Sequence, residues 1–427
     1  MIMSEKYTGQ LPKRWKENKI GTIYKERCTK VSDKEFAPLS VTKRGILPQL
    51  ETVAKTNDND NRKLVKKNDF VINSRSDRRG SCGISYYDGS VSLINTVLQP
   101  VDSGKFSNEY YDWFFHTEQF ADEFYKWGYG IVDDLWTTRW LDMKKIYIPL
   151  PPIEEQKRIA NFLNRKCAQI DEITEELEEK IAKLENLKKQ IIYEYVTKGT
   201  DRSVKYCDSK VDWVGEIPEH WGLIRIKNVC WLKGRIGWDG LKSDEFTDEG
   251  PYLITGTDFL EGKINWRTCV HISERRYNED RLLHVANGDL LITKDGTVGK
   301  LAIVDNCPKK VSLNSGVMII RPNGRIKYLT KYLFYVLGSN IFEMWYTSTQ
   351  KGGSTIKHLY QEQFTNFKFC FPPLEEQKGI ADFLDNKCAH IDEIAKGTRQ
   401  QIETLKLFKQ SLIYEYVTGK KEVPNHE

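Results

Sequence analysis

Apolar residues recur at steps of three and four through Ile159, Leu163, Cys167, Ile170, Ile173, Leu177, Ile181, Leu184, Leu187 and Ile191, with polar neighbours between them. That period puts them on one face of an α-helix, in the narrow stripe that a two-helix seam uses. A second stripe runs through Ile380, Leu384, Cys388, Ile391, Ile394, Ile402, Leu405 and Leu412, interrupted at Gly397 and Thr398. The glycine makes this the weaker helix by ~1 kcal/mol. The two stripes begin alike, with PPIEEQKRIANFLNRKCAQIDEI from Pro151 and PPLEEQKGIADFLDNKCAHIDEI from Pro372, and both close on IYEYVT. Proline tolerates a first helical turn, and paired glutamates suit the positive end of the helix dipole, so each stretch reads as a helix start. About 40 helical residues would reach ~60 Å. The repeat therefore predicts a rod in which the two stripes bury each other, an antiparallel coiled coil; the alternative is that each helix packs on its own neighbouring domain.

Between the helices the period changes. Short runs such as DFVIN, SVSLINTVL, DLLIT and GVMIIRP lie among Gly, Asn and Asp turns and predict strands in a twisted sheet. The two intervening segments are themselves related. GQLPKRW at Gly9 to Trp15 matches GEIPEHW at Gly215 to Trp221, and KNDFVINSR from Lys67 matches NGDLLITKD from Asn287. A glycine pair follows each of the latter, Gly80 with Gly83 and Gly296 with Gly299. The predicted class is α+β with an internal pseudo-two-fold: a mixed α/β domain over 1–150, a helix over 151–200, a second such domain over 201–371, and a second helix over 372–427.

With 39% hydrophobic, 29% charged and 12% aromatic residues in 427, the chain has the composition of a folded soluble protein. No apolar run nears the ~18 to 20 residues of a membrane span, and no signal core follows the N-terminus, which predicts a cytoplasmic protein with no membrane partner. The nine cysteines form no CxxC pair, which argues against zinc and against a disulfide framework. Cys167 and Cys388 stand in register with the apolar stripes and are expected to be core thiols. The net charge of +5 is unevenly spread: residues 13–79 carry 18 basic against 9 acidic side chains, residues 80–150 carry 5 against 10. That asymmetry predicts a basic face for a polyanion.

Enzyme motifs fail in turn. LPPI at Leu150 and FPPL at Phe371 lack the Asn or Asp that an amino-methyltransferase loop places before its prolines, and no glycine-rich cofactor loop precedes them. GTVGK at Gly296 is too short for a phosphate loop, no HExxH occurs, and Asp289 with Lys294 lacks the acid pair of a common nuclease core. A stand-alone DNA-modifying enzyme and a coiled-coil adaptor that binds only proteins are the rival readings. The adaptor leaves the basic and aromatic content of the two domains unexplained.

The order domain, helix, domain, helix resembles the specificity subunit of Type I restriction-modification systems. The resemblance covers the chain from LPKRW at Leu11 to IYEYVT at Ile413, and its most specific element is the twice-written Pro-Pro-(Ile/Leu)-Glu-Glu-Gln-Lys opening. GDLLITKDGTVGK at Gly288 and KGGSTIKHL at Lys351 look like the signature turns of its recognition domains, whereas the first domain has GYGIVDDLW at Gly128 in place of GGSTIKHL. The resemblance implies a non-catalytic subunit that reads bipartite double-stranded DNA with two target-recognition domains. It would scaffold two adenine-methyltransferase subunits, and a restriction subunit in addition. S-adenosylmethionine, ATP and Mg2+ would then belong to those partners, with no cofactor in this chain. Subunit docking is expected at Glu154, Glu155, Gln156, Lys157, Glu375, Glu376, Gln377 and Lys378.

DNA contacts need cations for phosphates and polar or guanidinium side chains for base edges. In the first domain they are expected at Lys43 and Arg44 and in NSRSDRRGS, through Asn73, Arg75, Arg78 and Arg79. In the second they are expected at Arg235, Trp238, Lys294, Thr297, Lys300, Gln350, Lys351, Ser354, Thr355 and Lys357.

Overall fold

The computed structural model describes residues 9, 11–49, 60–75, 78–102, 104–105, 107–130, 136–235, 241–350 and 358–424. The chain divides into two compact units, Met1–Glu178 with Arg399–Glu427, and Glu179–Thr398. In the first, β1 (Lys16–Lys19), β2 (Tyr24–Glu26), β3 (Phe70–Asn73), β4 (Cys82–Ile84), β5 (Asn95–Pro100) and β6 (Tyr147–Leu150) make the framework. Strands β2 to β5 form an antiparallel sheet in the order β2-β5-β3-β4, and β1 pairs with β6. DFVIN supplies the inner strand β3. Its residues Phe70 to Asn73 are all buried, as a strand covered on both faces requires. Helices α1 (Asn108–Phe115) and α2 (Glu118–Lys126) are each started by a hydroxyl cap, Ser107 accepting from Tyr110 N and Thr117 from Phe120 N. Their aromatic faces close the core, with Phe115 stacked on Phe70 at 4.0 Å between centroids.

After α3 (Ile153–Lys198) the second unit repeats this plan. Its strands are β7 (Gly222–Arg225), β8 (Cys230–Gly234), β9 (Leu290–Thr293), β10 (Leu301–Ile303), β11 (Val317–Pro322) and β12 (Lys368–Phe371). The sheet order is β8-β11-β9-β10, and β7 pairs with β12. Helices α4 (Thr330–Leu337) and α5 (Asn340–Thr349) take the places of α1 and α2. Outside this shared frame the units differ. The first adds strands Lys30–Val31, Arg62–Val65 and Gly89–Val91, all antiparallel, whereas the second adds Phe246–Ile254 flanked by Val270–Ile272 antiparallel and Val311–Leu313 parallel.

Both units contain a helix pair. In the first, α3 meets the last turns of α6 (Leu374–Val417): Phe162 lies 4.5 Å from Tyr416 and Lys409 Nζ donates to both oxygens of Asp171 at 2.6 Å. In the second, Tyr195 stacks on Phe383 at 4.2 Å and Lys188 Nζ donates to Asp392 at 2.7 and 2.6 Å. Both sets run antiparallel, and a 221-residue shift converts one into the other, Asp171 to Asp392 and Lys188 to Lys409. The expected coiled-coil seam is narrower than the sequence stripe. Ile173 and Leu187 remain 45% exposed, because a helix pair covers only part of each face. Helix α6 runs on through Gly397. Thr398 is buried, returns its hydroxyl to Ile394 O at 2.9 Å, and with Ala395 and Ile402 carries the stripe across the interruption.

The repeated tryptophan motifs have a structural role. Each long helix ends at a glycine in the left-handed region, Gly199 at φ +71° and Gly419 at φ +72°. A Cβ on either would stand 3.0 Å from the ring of Trp221 or Trp15. Glycine therefore both ends the helix and admits the indole. Cys167 and Cys388 are buried among the apolar side chains, and burial raises each thiol to about 11. Among the described residues no helix is long and apolar enough to cross a membrane.

Candidate nucleic-acid interface

NSRSDRRGS joins β3 to β4, and only part of it faces outward. Asn73 is 7% exposed and uses its side-chain oxygen to accept from Arg75 N at 3.0 Å, while its own N–H donates to Ser81 O at 2.9 Å. Asn73 shapes the turn. Arg75 is exposed and bridged to Thr137, and Tyr125 holds its carbonyl with a hydroxyl at 2.9 Å. Arg78 and Arg79 are also exposed, but Arg79 is ion-paired to Asp122. The Arg75–Thr137 bridge brings in Arg139, whose guanidinium lies 4.9 Å from the Tyr129 ring centroid. Arg75, Thr137 and Arg139 line a cleft of ≈ 410 Å³, whereas Arg79 lines a separate one with Lys43.

Lys43 and Arg44 lie elsewhere. They are exposed at the turn of the Leu39–Thr42/Gly45–Pro48 hairpin, beside His116. Two clefts of ≈ 670 and ≈ 460 Å³ there also take in Leu407, Tyr414 and Lys409 of α6. Asp112, which donors from Ile84 N (2.9 Å) and the His116 ring face, has its carboxyl raised above the usual range by burial. The first unit's predicted cations thus fall into two groups, one at the Arg75 cleft and one against the helix pair.

In the second unit two predicted contacts point inward. Arg235 is 2% exposed and donates to Leu313 O at 3.1 Å. Lys294 is 8% exposed, burial lowers its pKa, and its ammonium donates to Arg235 O at 3.1 Å. Both brace the fold. Thr297 and Lys300 are exposed on the turn between β9 and β10, which Thr293 closes by donating to Thr297 O at 2.6 Å and accepting from Lys300 N at 2.9 Å. Gln350 is exposed at the end of α5. Trp238, Lys351, Ser354, Thr355 and Lys357 lie outside the described residues.

The repeated helix openings divide into inward and outward residues. Gln156 and Gln377 are fully buried; each accepts from a backbone N–H of its own unit, Ser107 or Leu329, and donates to Pro151 O or Pro372 O. They clamp domain to helix and leave no group for a partner. Glu155 accepts from Arg14 at 2.8 Å, and Glu376 accepts from His220 and from Trp221 Nε1 at 2.9 Å each. Glu154, Lys157, Glu375 and Lys378 remain exposed.

The model of the type I restriction-modification DNA specificity domain matches this sequence twice, at residues 12–186 and 218–404. The chain belongs to that family. Among similar proteins of the family, the MjaVIII specificity subunit of a type I restriction enzyme from Methanocaldococcus jannaschii is 28% identical over 290 residues, 66% of this chain and 64% of that protein. The EcoBI specificity subunit of Escherichia coli is 23% identical over 277 residues, 64% of this chain and 58% of that one. The chain spans about three fifths of the length of the curated relatives it matches. The specificity-domain fold is also that of a chain from a type I R-M system solved to explain its complex assembly and conformational transition, with a TM-score of 0.70 at 16% identity over 96% of this chain and 100% of that one. Among the described residues no group of three or more His, Cys, Asp or Glu is placed to hold a metal ion.

Sequence reasoning missed Arg139, Trp140, Leu93 and Ile94 in the first unit and Asp295, His358 and Tyr360 in the second. They meet through bridges between segments about sixty residues apart. Local composition carries no signal for such a meeting.

Proposed function

We propose that this chain is the sequence-reading subunit of a type I restriction-modification complex and has no catalytic centre of its own. The carrying observation is the duplication. Two units with one sheet order and one helix-pair register carry different side chains at equivalent surface turns, as two readers of unlike half-sites would. Among the described residues, Arg75, Arg139, Lys43 and Arg44 in the first unit, and Thr297, Lys300 and Gln350 in the second, are exposed polar groups that could meet duplex DNA. Guanidinium and ammonium groups supply affinity through phosphates; guanidinium forks, hydroxyls and amides supply sequence preference through base edges.

The two exposed pairs Glu154/Lys157 and Glu375/Lys378 occupy equivalent places on the two helix openings. Two copies of one docking surface suit two copies of a methyltransferase subunit, with a restriction subunit joining that assembly. S-adenosylmethionine, ATP and Mg2+ then act on those partners. Co-expression with a methyltransferase subunit, followed by mapping of methylated adenines in genomic DNA, tests the proposal. The expected product is a two-part motif with a fixed gap; a one-part motif, or methylation without sequence preference, overturns it.

A further inference from the structure

The bridge Arg75–Thr137 in the first unit has a counterpart in Asp295–His358 in the second. The backbone around them is the same. Thr138 N donates to Ser74 O at 3.0 Å and Leu359 N to Lys294 O at 2.9 Å; Asn73 N donates to Ser81 O and Thr293 N to Lys300 O, each at 2.9 Å. The side chains on this shared frame differ, and at one position their charge is reversed. Arg75 and Arg139 in one unit stand where Asp295 and Tyr360 stand in the other. Ser74, small and bonded to Thr96 at 2.8 Å, stands where the buried stem of Lys294 runs along Gly234. A constant frame with different side chains is what two readers of different sequences need at a specificity-determining position.

In the first unit this position opens into the cleft of ≈ 410 Å³. Among the described residues neither Arg75 nor Arg139 is ion-paired to a carboxylate, whereas nearby Arg79 is committed to Asp122. Arg75 is held from behind by Tyr125, and Arg139 lies over Tyr129. Leu93 and Ile94, 40% and 39% exposed, and Trp140 add apolar wall. A phosphate contact has no use for such walls. A base edge does, since it offers acceptors in its plane and apolar surface beside them.

We propose that Arg75 and Arg139 form the guanine-reading element of the first unit, each guanidinium fork able to engage the O6 and N7 acceptors of a guanine edge. This rests on the DNA-reading role proposed above. The test uses the full chain assembled with its methyltransferase subunit and a pool of random-sequence duplexes, sequenced after selection for binding. Arg139→Ala and Arg75→Ala are each expected to lower the preference for guanine at one position of one half-site by on the order of 10- to 100-fold, leaving the other half-site intact. Arg139→Lys keeps the charge but not the fork and should lose the same preference. Uniformly weaker binding with an unchanged motif assigns the residue to phosphate and overturns the proposal, as does an unchanged motif at unchanged affinity; full guanine preference in Arg139→Lys overturns the bidentate fork. A wild-type assembly that selects no sequence overturns the DNA-reading role itself. Unchanged thermal unfolding of the three variants, all surface substitutions, separates loss of reading from loss of fold.

Discussion

Asp69 and Asp289 open the strands DFVIN and DLLIT, and the structure gives both the same task. Asp69 accepts from Lys66 N at 2.8 Å and from Arg27 Nε and Nη2 at 2.7 and 3.0 Å; Asp289 accepts from Ala286 N at 2.7 Å and from Arg321 Nε at 2.6 Å. The Asp69 side chain is 2% exposed and that of Arg27 is 20% exposed. Replacing Arg27 by Ala leaves a buried carboxylate with only its backbone donor. Breaking a fully buried pair costs ~3–5 kcal/mol, and the partial exposure of Arg27 lets water replace some of the loss, so about 2–3 kcal/mol is expected. In a folded body of 150–250 residues that lowers the melting temperature by about 4–12 °C. Scanning calorimetry of Arg27→Ala, Asp69→Asn and the double variant measures it. Asp69→Asn removes the buried charge while keeping an acceptor for Lys66 N, so the double variant should be no less stable than Arg27→Ala alone. A loss below ~0.5 kcal/mol in Arg27→Ala, the range of an ordinary surface change, refutes the reasoning.

Other predictions follow from single features. At pH 8 a thiol reagent should react with the exposed Cys207, more slowly with Cys28, whose thiol partial burial and Glu26 raise, and with Cys230 and Cys370, which burial raises to about 12, only after unfolding. Burial raises the Asp112 carboxyl, so its charge opposes folding above the unfolded-state pKa and costs nothing below it. Asp112→Asn should therefore gain stability relative to wild type as pH rises from about 3 to 7, read by urea midpoints across that range; a gain confined to acid pH contradicts it. The Asp295 carboxylate contacts the His358 ring, so Asp295→Asn should loosen that pair and alter only the second half-site of the methylated motif, by ~1–3 kcal/mol of discrimination at one position. Reversing Lys157 and Lys378 to Glu should weaken co-purification of a methyltransferase subunit without moving the unfolding midpoint.

Much was legible along the chain because it depends on neighbours in sequence. Helix period, proline and glutamate starts, glycine ends and the buried strand DFVIN are written in windows of four to twenty residues, and a repeat makes each visible twice. The two-fold plan follows from that alone. What the linear pattern left undecided was direction: which of several adjacent polar groups turns inward. Gln156, Gln377, Arg235 and Lys294 read as surface contacts, yet each meets a backbone group far away in the chain, and an unpaired backbone group in a core costs enough to draw a long polar side chain inside. The Arg75–Arg139 cleft is the reverse case. Arg75 and Arg139 come from segments about sixty residues apart, joined next to β3 by the Arg75–Thr137 bridge and the Thr138 N–Ser74 O bond, with Leu93 and Ile94 from a third segment, so only tertiary folding brings them to one cleft.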